Sequence, residues 1–329
     1  MSDMDRILVI RRDNIGDLVC TTPLLAALRT RFPKSRIDVL ANSYNAPVLE
    51  GNPDIDDIFA YSKLKHVSGS GSPMSALAAR ARMLWKMHRQ GYDLAIVASG
   101  PRDFRAQRFA RLIGARRVVF AGDAVEGQHE VERTFTAARS VGIDGPIPSL
   151  RVVAGSVQAD RVRQALRAAG SGNQRVVGMH ISARRRSQRW PAARFAELAL
   201  ELHRRCGATT LLLWSPGPEN HPQHPGDDAK AAEVLALAEG QGRPVPYPTQ
   251  ELRQLVGALA CCDIVVCSDG GAMHIAAGLG KPIACFFGDS SVSRWRPWQT
   301  RHIVLRASSE NVEQVPADEA IRAAIELLA

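Results

Sequence analysis

Short apolar runs alternate with amphipathic segments along the first half of the chain. Apolar runs at residues 6–11, 36–41 and 57–61 predict strands, because their length and composition suit buried strands. Residues 22–31 and 74–90 carry apolar side chains at helical spacing and predict helices. Strands separated by helices indicate an α/β protein with a parallel, doubly wound sheet, which binds ligands at the carboxyl ends of its strands.

The alternation breaks at the glycine- and proline-rich stretch 142–148 and then starts again. This restart predicts two Rossmann-like domains that face each other across a cleft. We expect the first domain to span residues 1–160 and the second to span 161–311, and the final helix, 312–327, is a candidate to pack back on the first domain. In the second half the predicted helices are 156–169, 192–206, 229–238 and 250–261, and the predicted strands are 175–180, 209–214, 264–267 and 283–287.

The composition is that of a soluble globular protein. Of the 329 residues, 45% are hydrophobic and 23% are charged, and no apolar run approaches the ~18 residues that span a bilayer. The N-terminus leads directly into the first strand without a cleavable signal pattern. The six cysteines lie in apolar or helical contexts without metal-ligand spacing, so we expect reduced, buried thiols and a cytoplasmic protein.

The net charge of +9 indicates an anionic partner or surface. Only 5% of the residues are aromatic, and basic and aromatic residues do not interleave, so we expect no nucleic-acid binding. Most arginines are expected on solvated helix faces. The cluster of Arg184, Arg185, Arg186 and Arg189 instead favours a phosphorylated ligand or an anionic membrane surface.

A first candidate site, residues 263–288, combines a strand, an acid, two glycines, a small-residue helix and a second strand. Gly270 and Gly271 would allow tight turns and a close approach of a ligand to the backbone. The helix would point unpaired N–H groups and its positive dipole end at a phosphate, with Asp269 and His274 beside it. The alternative is an ordinary strand–helix turn in which Asp269 caps the helix and His274 packs on a strand.

A second candidate site, residues 11–23, follows the first strand. It lacks the G-x-G-x-x-G fingerprint, which argues against a NAD-dependent dehydrogenase. Gly16 and Asp17 leave the strand at its carboxyl end, near a helix N-terminus, where the dipole favours a charged carboxylate. Asp17 could therefore accept a proton from a sugar hydroxyl, or it could merely cap its helix.

A third candidate site, residues 179–191, is a loop between a strand and a helix that begins at Pro191. Four arginines lie within six residues of this loop. Guanidinium groups match the geometry of phosphate oxygens, so the loop favours a diphosphate ligand. The alternative is a solvated loop without a ligand.

Taken in order, these motifs resemble those of the ADP-heptose:lipopolysaccharide heptosyltransferases, glycosyltransferase family 9. The match runs nearly from end to end. The stretches that carry it are Ile-Leu-Val-Ile-Arg-Arg-Asp-Asn-Ile-Gly-Asp at 7–17, Gly-Asn-Pro-Asp-Ile-Asp-Asp-Ile at 51–58, Arg-Trp-Pro at 189–191, Asp-Gly-Gly-Ala-Met-His at 269–274, and Phe-Gly-Asp-Ser-Ser-Val-Ser-Arg-Trp-Arg-Pro at 287–297. The resemblance implies the GT-B fold, with the nucleotide-sugar donor on the C-terminal domain and the acceptor on the N-terminal one. It also implies an inverting, metal-independent transfer.

The resemblance further implies roles for individual residues. Asp17 matches the catalytic base of the family, Glu219 lies in the loop that binds the ribose, and Gln250 falls near the adenine-contacting position. The predicted acceptor-binding residues are Asn14, Gly16, Arg102 and Arg105. The predicted donor-binding residues are Ser182, Arg184, Arg185, Gln188, Arg189, Glu219, Gln250, Asp269, Gly270, Gly271, Ala272, Met273 and His274.

The chain departs from the family pattern at Gln188, where a lysine often precedes Arg-Trp-Pro, and we expect the arginines at 184–186 to supply the missing charge. The predicted activity is transfer of heptose, or a related sugar, from an ADP-sugar to a phosphorylated lipopolysaccharide core or similar glycolipid. We expect no cofactor, and peripheral contact with an anionic inner membrane. A GT-B enzyme that acts on a protein or small molecule, and an inactive nucleotide-binding homologue, stay open as alternatives.

Overall fold

A computed structural model of the protein describes residues 4–61, 73–172, 174–220 and 225–329. The chain divides into two compact units, Met1–Arg151 and Val152–Ala329, and each contains one parallel β-sheet. Two α/β units with parallel sheets confirm the predicted fold class. The first unit ends at Arg151 rather than at residue 160, because the helix that follows packs against a helix of the second unit.

Five parallel strands form the sheet of the first unit: β1 (Arg6–Ile10), β2 (Arg36–Asn42), β3 (Asp57–Tyr61), β4 (Leu94–Val97) and β5 (Arg117–Phe120). Their order across the sheet is β3-β2-β1-β4-β5. In the central strand, Ile7 lies opposite Ile37 of β2 and Leu94 of β4. The three central strands are almost wholly buried, which explains their uninterrupted apolar sequences.

Four of the five helices described in the first unit pack in two pairs. The five are α1 (Ile15–Val19), α2 (Thr22–Arg31), α3 (Pro73–Gln90), α4 (Phe104–Ile113) and α5 (Glu130–Arg139). Helix α2 contacts α5, while α3 lies beside α4 and shares with it a core that includes Met87, Phe109 and Ile113. The sequence pattern did not predict α5, although His129 and Glu132 form a capping box at its start.

Six parallel strands form the second sheet: β6 (Val176–His180), β7 (Thr209–Trp214), β8 (Val245–Pro248), β9 (Ile264–Ser268), β10 (Ile283–Phe286) and β11 (His302–Leu305). Their order is β11-β10-β9-β6-β7-β8, and neither edge strand is predicted from the sequence. The N–H of Thr249 donates to the Trp214 carbonyl at 2.9 Å. Because hydrogen-bonding directions alternate along a strand, Pro246 and Pro248 face the outer edge of β8, where no N–H is needed.

The helices of the second unit are α6 (Ser156–Ala168), α7 (Ala192–Cys206), α8 (Asp228–Leu237), α9 (Leu252–Ala260), α10 (Gly271–Gly278), α11 (Val292–Trp295) and α12 (Ala317–Leu328). The predicted final helix is interrupted at Pro316, which separates a 3-10 turn from α12. Helix α12 packs on α7 within the second unit, with Ala320 and Leu327 in its core. The structure therefore differs from the expectation that this helix packs back on the first domain.

Trp190 anchors the loop after β6 to the core of the second unit. Its ring packs against Phe195 and Phe286, at centroid distances of 4.8 and 4.5 Å, and its Nε1 donates to the Val315 carbonyl at 2.9 Å. This anchor fixes one end of the predicted arginine loop.

Two further expectations concern the whole chain. No helix within the described ranges combines the length and apolar character needed to cross a membrane. All six cysteines are free thiols, but the expectation that they are buried is wrong for Cys206, which is exposed, and for Cys261, which is half-buried.

Candidate functional site

The predicted site residues lie at the carboxyl ends of the strands in both sheets. In the first unit, Asn14, Gly16 and Asp17 follow β1, and Arg102 and Arg105 follow β4. In the second unit, the loops after β6, β7, β8 and β9 carry the predicted donor-binding residues. Parallel strands bring these loops to one edge of each sheet, which is where sheets of this kind bind ligands.

The carboxylate of Asp17 is held by three donors. Its Oδ1 accepts a hydrogen bond from Arg11 Nη2 at 2.7 Å, and its Oδ2 accepts from the backbone N–H and the side-chain amide of Asn14, both at 3.0 Å. The hydrogen bond from the Asn14 backbone caps the start of α1. Asp17 therefore makes the helix-capping contact that its structural alternative predicts. A carboxylate has about four acceptor positions, so these bonds leave room for a ligand hydroxyl.

Arg11 is the centre of a buried ion cluster that is not predicted from the sequence. The residue is 1% exposed, and besides Asp17 its guanidinium binds Glu130 at 2.7 Å and Asp13 at 3.0 Å. Its Nη1 also donates to the Ala98 carbonyl at 2.6 Å, which ties the end of β1 to the end of β4. Burial alone would lower the pKa of Arg11, but the charges of the three carboxylates raise it, so the group stays cationic.

Glu130 holds Arg11 from helix α5. Its side chain is fully buried and also binds Arg133, at 2.5 Å to Nη2 and 3.0 Å to Nε. Burial alone would raise the pKa of Glu130, but the hydrogen bonds from Arg133 and the charge of Arg11 outweigh it and lower the pKa to about 2. Glu130 is therefore ionised at neutral pH and fixes the guanidinium that contacts Asp17.

The predicted acceptor-binding arginines lie farther along the loop after β4 and on α4. Arg102 and Arg105 are exposed, and neither forms a hydrogen bond or ion pair with Asp17 in the part of the chain that the structure describes. The residue of this loop that reaches the end of β1 is Asp103. Its carboxylate binds Arg12 at 2.9 Å and caps α4.

In the second unit, three strand ends converge on the carboxylate of Asp269, which follows β9. Its Oδ2 accepts a hydrogen bond from Ser290 Oγ at 2.6 Å and from Gln188 Nε2 at 3.2 Å. Ser290 follows β10, and Gln188 lies in a 3-10 turn after β6. Burial raises the pKa of Asp269, against the effect of these two bonds. Because its side chain binds neighbouring loops and Gly270 is the N-cap residue, the alternative that Asp269 caps α10 is wrong.

Helix α10 starts at Gly271, directly after its N-cap residue Gly270. The backbone of Gly270 is extended, with φ 161°, which any residue can adopt, so the tight-turn explanation of this glycine is wrong. A residue without a side chain nevertheless leaves the first N–H groups of α10 accessible to a ligand. The ring of His274 packs edge-on against Trp295, at 5.9 Å between centroids. The buried residues at the start of α10 are Ala272, Met273 and His274.

Arg189, Glu219 and Ser182 join the loop after β6 to the loop after β7. Arg189 donates to the Ala183 carbonyl at 3.1 Å and forms an ion pair with Glu219. The Oγ of Ser182 accepts a hydrogen bond from the backbone N–H of Ser215 at 2.9 Å. Arg189 and Glu219 are predicted to contact different parts of the nucleotide-sugar donor, and in this structure they bind each other.

The other arginines of the loop after β6 differ in what they contact. Arg185 pairs with Asp289 at 3.2 Å, and both side chains are about half exposed. Arg184 and Arg186 are exposed, and neither side chain has a hydrogen-bond or ion-pair partner among the residues that the structure describes. These two arginines are therefore available to an anionic ligand.

Gln250 lies after β8, at the edge strand of the sheet. It is exposed, and its backbone N–H donates to Gln254 Oε1 at 2.8 Å, just before α9. Within the described residues its side chain makes no hydrogen bond to the other predicted donor-binding residues. Gln250 lies at the carboxyl ends of the strands, like the other predicted donor-binding residues, but outside the hydrogen-bond network around Asp269.

The residues that follow β10 have no role predicted from the sequence, although Asp289 and Ser290 bind predicted donor residues. A Cβ atom at Gly288 would lie 2.7 Å from the Ser187 carbonyl oxygen, so a glycine is needed for the two loops to meet. The signal was present in the sequence. Gly288 and Asp289 directly follow an apolar run, as Asp269 and Gly270 directly follow β9.

Comparisons with known proteins identify the family to which the chain belongs. The family model for glycosyltransferase family 9 (heptosyltransferase) matches residues 105–321, which is more than half of the chain. The chain belongs to glycosyltransferase family 9. The resemblance that its motifs indicate is confirmed.

Relatives that are named as heptosyltransferases match along most of their length. The chain is 24% identical to lipopolysaccharide heptosyltransferase 3 of Escherichia coli, over 88% of this chain and 85% of that protein. It is 27% identical to lipooligosaccharide heptosyltransferase 2 of Haemophilus ducreyi, over 96% of this chain and 92% of that protein.

Solved structures share the fold of the whole chain. A family 9 glycosyltransferase of Veillonella parvula superposes with a TM-score of 0.84 at 21% identity, covering 100% of this chain and 98% of its own. ADP-heptose lipopolysaccharide heptosyltransferase II of E. coli gives a TM-score of 0.78 at 20% identity, with 98% of each chain covered. The chain therefore has the GT-B fold, with two Rossmann-like domains, as the resemblance implies.

Proposed function

We propose that this chain transfers a heptose from an ADP-linked donor to a sugar of the lipopolysaccharide core. The relatives that it matches over most of their length are named as heptosyltransferases. E. coli heptosyltransferase WaaC, whose fold it shares, has been solved with ADP and with ADP-2-deoxy-2-fluoro heptose. The observation that carries the proposal is the meeting of three strand ends at Asp269, beside the N-terminus of α10.

The donor diphosphate would bind at the N-terminus of α10, where unpaired N–H groups and the positive helix end suit phosphate oxygens. Arg184 and Arg186 would add charge from the loop after β6, in place of the lysine that Gln188 replaces. Glu219 would bind the ribose hydroxyls, and Gln250 would contact the adenine. This donor site needs neither a metal ion nor a cofactor, because helix dipole and guanidinium groups supply the positive charge.

The transfer would be a single displacement with inversion. The acceptor hydroxyl oxygen forms a bond to the anomeric carbon of the heptose, the bond from that carbon to the diphosphate oxygen breaks, and ADP leaves with the electron pair. The hydroxyl proton passes to the carboxylate of Asp17. Its bonds to Arg11 and Asn14 support this role, because they hold the carboxylate in one orientation before the acceptor binds.

The acceptor would be a phosphorylated glycolipid at the cytoplasmic face of the inner membrane. We propose that Asn14 and Gly16 contact its sugar and that the exposed Arg102 and Arg105 contact its phosphates. An enzyme that acts on a lipid-anchored sugar gains from peripheral contact with an anionic membrane, which the net charge of +9 supports.

A direct assay tests the proposal. The purified protein is incubated with ADP-heptose and a delipidated core oligosaccharide that lacks its heptose, and mass spectrometry follows the gain of one heptose together with ADP release. We expect transfer with ADP-heptose, no transfer with UDP- or GDP-linked sugars, and no loss of rate with EDTA. Transfer to a protein or small molecule but to no core oligosaccharide would overturn the acceptor assignment. ADP binding without any transfer would favour an inactive homologue.

A further inference from the structure

Helix α3 exposes apolar side chains on the side opposite its buried residue Met87. Met74, Leu77 and Trp85 are 79%, 61% and 59% exposed. Their spacing of three and eight residues keeps them on one side of the helix. The other side of α3 packs in the core of the first unit, where Met87 is fully buried. The helix is thus apolar on two sides, and only one of them is used by the fold.

Helix α4 continues this surface. Its Phe104 and Leu112 are 77% and 55% exposed, while Phe109 and Ile113 pack in the same core as Met87 of α3. Both helices contact each other and pack on one core, so the surface that they expose is shared. We call the exposed residues of these two helices the α3–α4 face; its apolar members are Met74, Leu77, Trp85, Phe104 and Leu112.

The α3–α4 face carries only positive charge. Neither helix contains an aspartate or a glutamate. Arg82, Arg89, Arg108 and Arg111 are exposed, and none has a carboxylate partner in the described ranges. The guanidinium of Arg89 stacks on the Trp85 ring at 4.8 Å, so cation and aromatic ring form one unit.

We propose that the α3–α4 face docks on an anionic lipid bilayer. Aromatic and aliphatic side chains at the level of the headgroups, flanked by arginines on lipid phosphates, are the pattern of helices that lie in a membrane interface. A second copy of this chain is a poorer partner, because a twofold contact would place the arginines of one face against those of the other. The inference rests on the proposed function, because an enzyme whose acceptor is anchored in a lipid bilayer has to bind at the surface of that bilayer.

The arginine loop after β6 is the rival membrane surface that the sequence suggests. Arg184 and Arg186 are equally exposed, but no large apolar side chain of that loop is exposed in the residues that the structure describes. The loop therefore offers charge without the apolar side chains that would enter the interface. Its arginines are accounted for by the donor diphosphate.

Vesicle flotation separates the two surfaces. The wild-type chain is mixed with phosphatidylglycerol/phosphatidylcholine vesicles, or with pure phosphatidylcholine vesicles, in the absence of donor and acceptor. We expect binding to the anionic vesicles only, weakening as salt is raised. The variant Leu77→Ser/Arg82→Glu/Trp85→Ser/Arg89→Glu should bind anionic vesicles at least ~10-fold more weakly, since each lost cation near the surface is worth about fivefold. Its melting temperature should be unchanged, because all four side chains are exposed.

Two matched variants make the result specific. Arg161→Glu/Arg167→Glu makes the same charge change on α6 and should bind vesicles much better than the α3 variant. Arg184→Glu/Arg186→Glu should also keep most of its vesicle binding. Equal losses in all three variants, or a loss confined to Arg184→Glu/Arg186→Glu, would overturn the proposal, as would dimerisation of the wild type through the α3–α4 face in sedimentation experiments. The α3 variant should keep full turnover on the delipidated oligosaccharide, so failure of docking and failure of the proposed activity are measured separately.

Discussion

At the end of β1, Arg11 is 1% exposed and its guanidinium is shared between Asp17 and Glu130. At the end of β6, Arg184 and Arg186 are exposed and bind no side chain among the described residues. Both places are the carboxyl end of a central strand in a parallel sheet. The charged groups at the end of β1 are buried and paired with each other, whereas the arginines at the end of β6 are exposed and can bind a ligand.

The difference corresponds to what each place would bind. A neutral sugar hydroxyl brings no charge of its own, so a base that takes its proton has to be oriented in advance, and buried ion pairs provide that orientation. A diphosphate is already charged and can order exposed guanidinium groups as it binds. The acceptor side of this enzyme would therefore be rigid before binding, and the donor side would gain its order from the ligand.

The largest expected effect is on Asp17. Asp17→Asn should lower heptosyl transfer by ~10²–10⁴-fold, because asparagine keeps the shape and can still cap α1 but cannot take a proton. Turnover is measured with saturating donor and acceptor at a temperature where the variant is folded. The ADP affinity should be nearly unchanged, while the melting temperature should fall, because Arg11 loses a buried ion pair. Near wild-type turnover in this variant would mean that the carboxylate is structural, and the comparison between the two strand ends would fail.

The buried cluster should show itself in stability. Glu130→Gln removes a fully buried carboxylate that binds two arginines and should lower the free energy of unfolding by about 3 kcal/mol at neutral pH. The folded state lowers the pKa of Glu130 from 4.5 to about 2. Its stabilisation is therefore complete above pH ~4.5 and is lost as the pH falls towards 2. Urea unfolding between pH 7 and pH 3 should show this acid-dependent loss in the wild type and less of it in the variant.

Asp38→Asn is the matched control for Glu130→Gln. Asp38 is also a fully buried carboxylate of the first unit, bound to Arg36 at 3.0 Å and to the Tyr92 hydroxyl at 2.7 Å. Burial raises the pKa of Asp38, so its removal should not flatten the acid-dependent loss of stability. If both variants show the same pH dependence, the ion cluster around Arg11 has no special role.

Donor binding should depend on the two exposed arginines. Arg184→Ala/Arg186→Ala should weaken ADP binding by more than ~10-fold in calorimetric titration, because each charged hydrogen bond contributes about 1.5–3 kcal/mol. Arg185→Ala should have a smaller effect, since Arg185 already pairs with Asp289. Unchanged ADP affinity in the double variant, or in the triple variant with Arg185→Ala added, would contradict the assignment of this loop to the diphosphate.

The smallest effect is expected at Gln188. Gln188→Lys restores the cation that the family often has and should tighten ADP binding by a few-fold, because a buried ammonium would lie beside both Asp269 and the diphosphate. Gln188→Met is the uncharged control of similar length. Weaker ADP binding with lysine than with methionine would show that the donor site of this chain is adapted to glutamine.

Strong local patterns allowed much of the fold to be predicted. Helix α2 and strand β7 have the predicted bounds, because α2 has Pro23 in its first turn and β7 is a short run that is buried throughout. Strand β8 was missed because Pro246 and Pro248 argue against a strand, and only an edge position makes them acceptable. The break before α12 was missed although Pro316 marks it.

The candidate site could be predicted only where the sequence marks it locally. Asp17 and Asp269 lie next to glycines after apolar strands, so the local sequence marks each as a candidate, and the family resemblance implies a role for each. Glu130 is 119 residues away from Arg11 along the chain, and the packing of α5 against α2 brings their segments together. No local pattern encodes such a contact, because it depends on the tertiary packing of α5.

The two prolines on the outer edge of β8 affect the tendency of the protein to aggregate. An extended chain that adds to a sheet needs N–H donors along the exposed edge, and Pro246 and Pro248 offer none there. The opposite edge strand, β11, is only four residues long. Neither side of this sheet is a good template for another strand, so slowly folding or crowded copies are protected from edge-to-edge association and fibre growth.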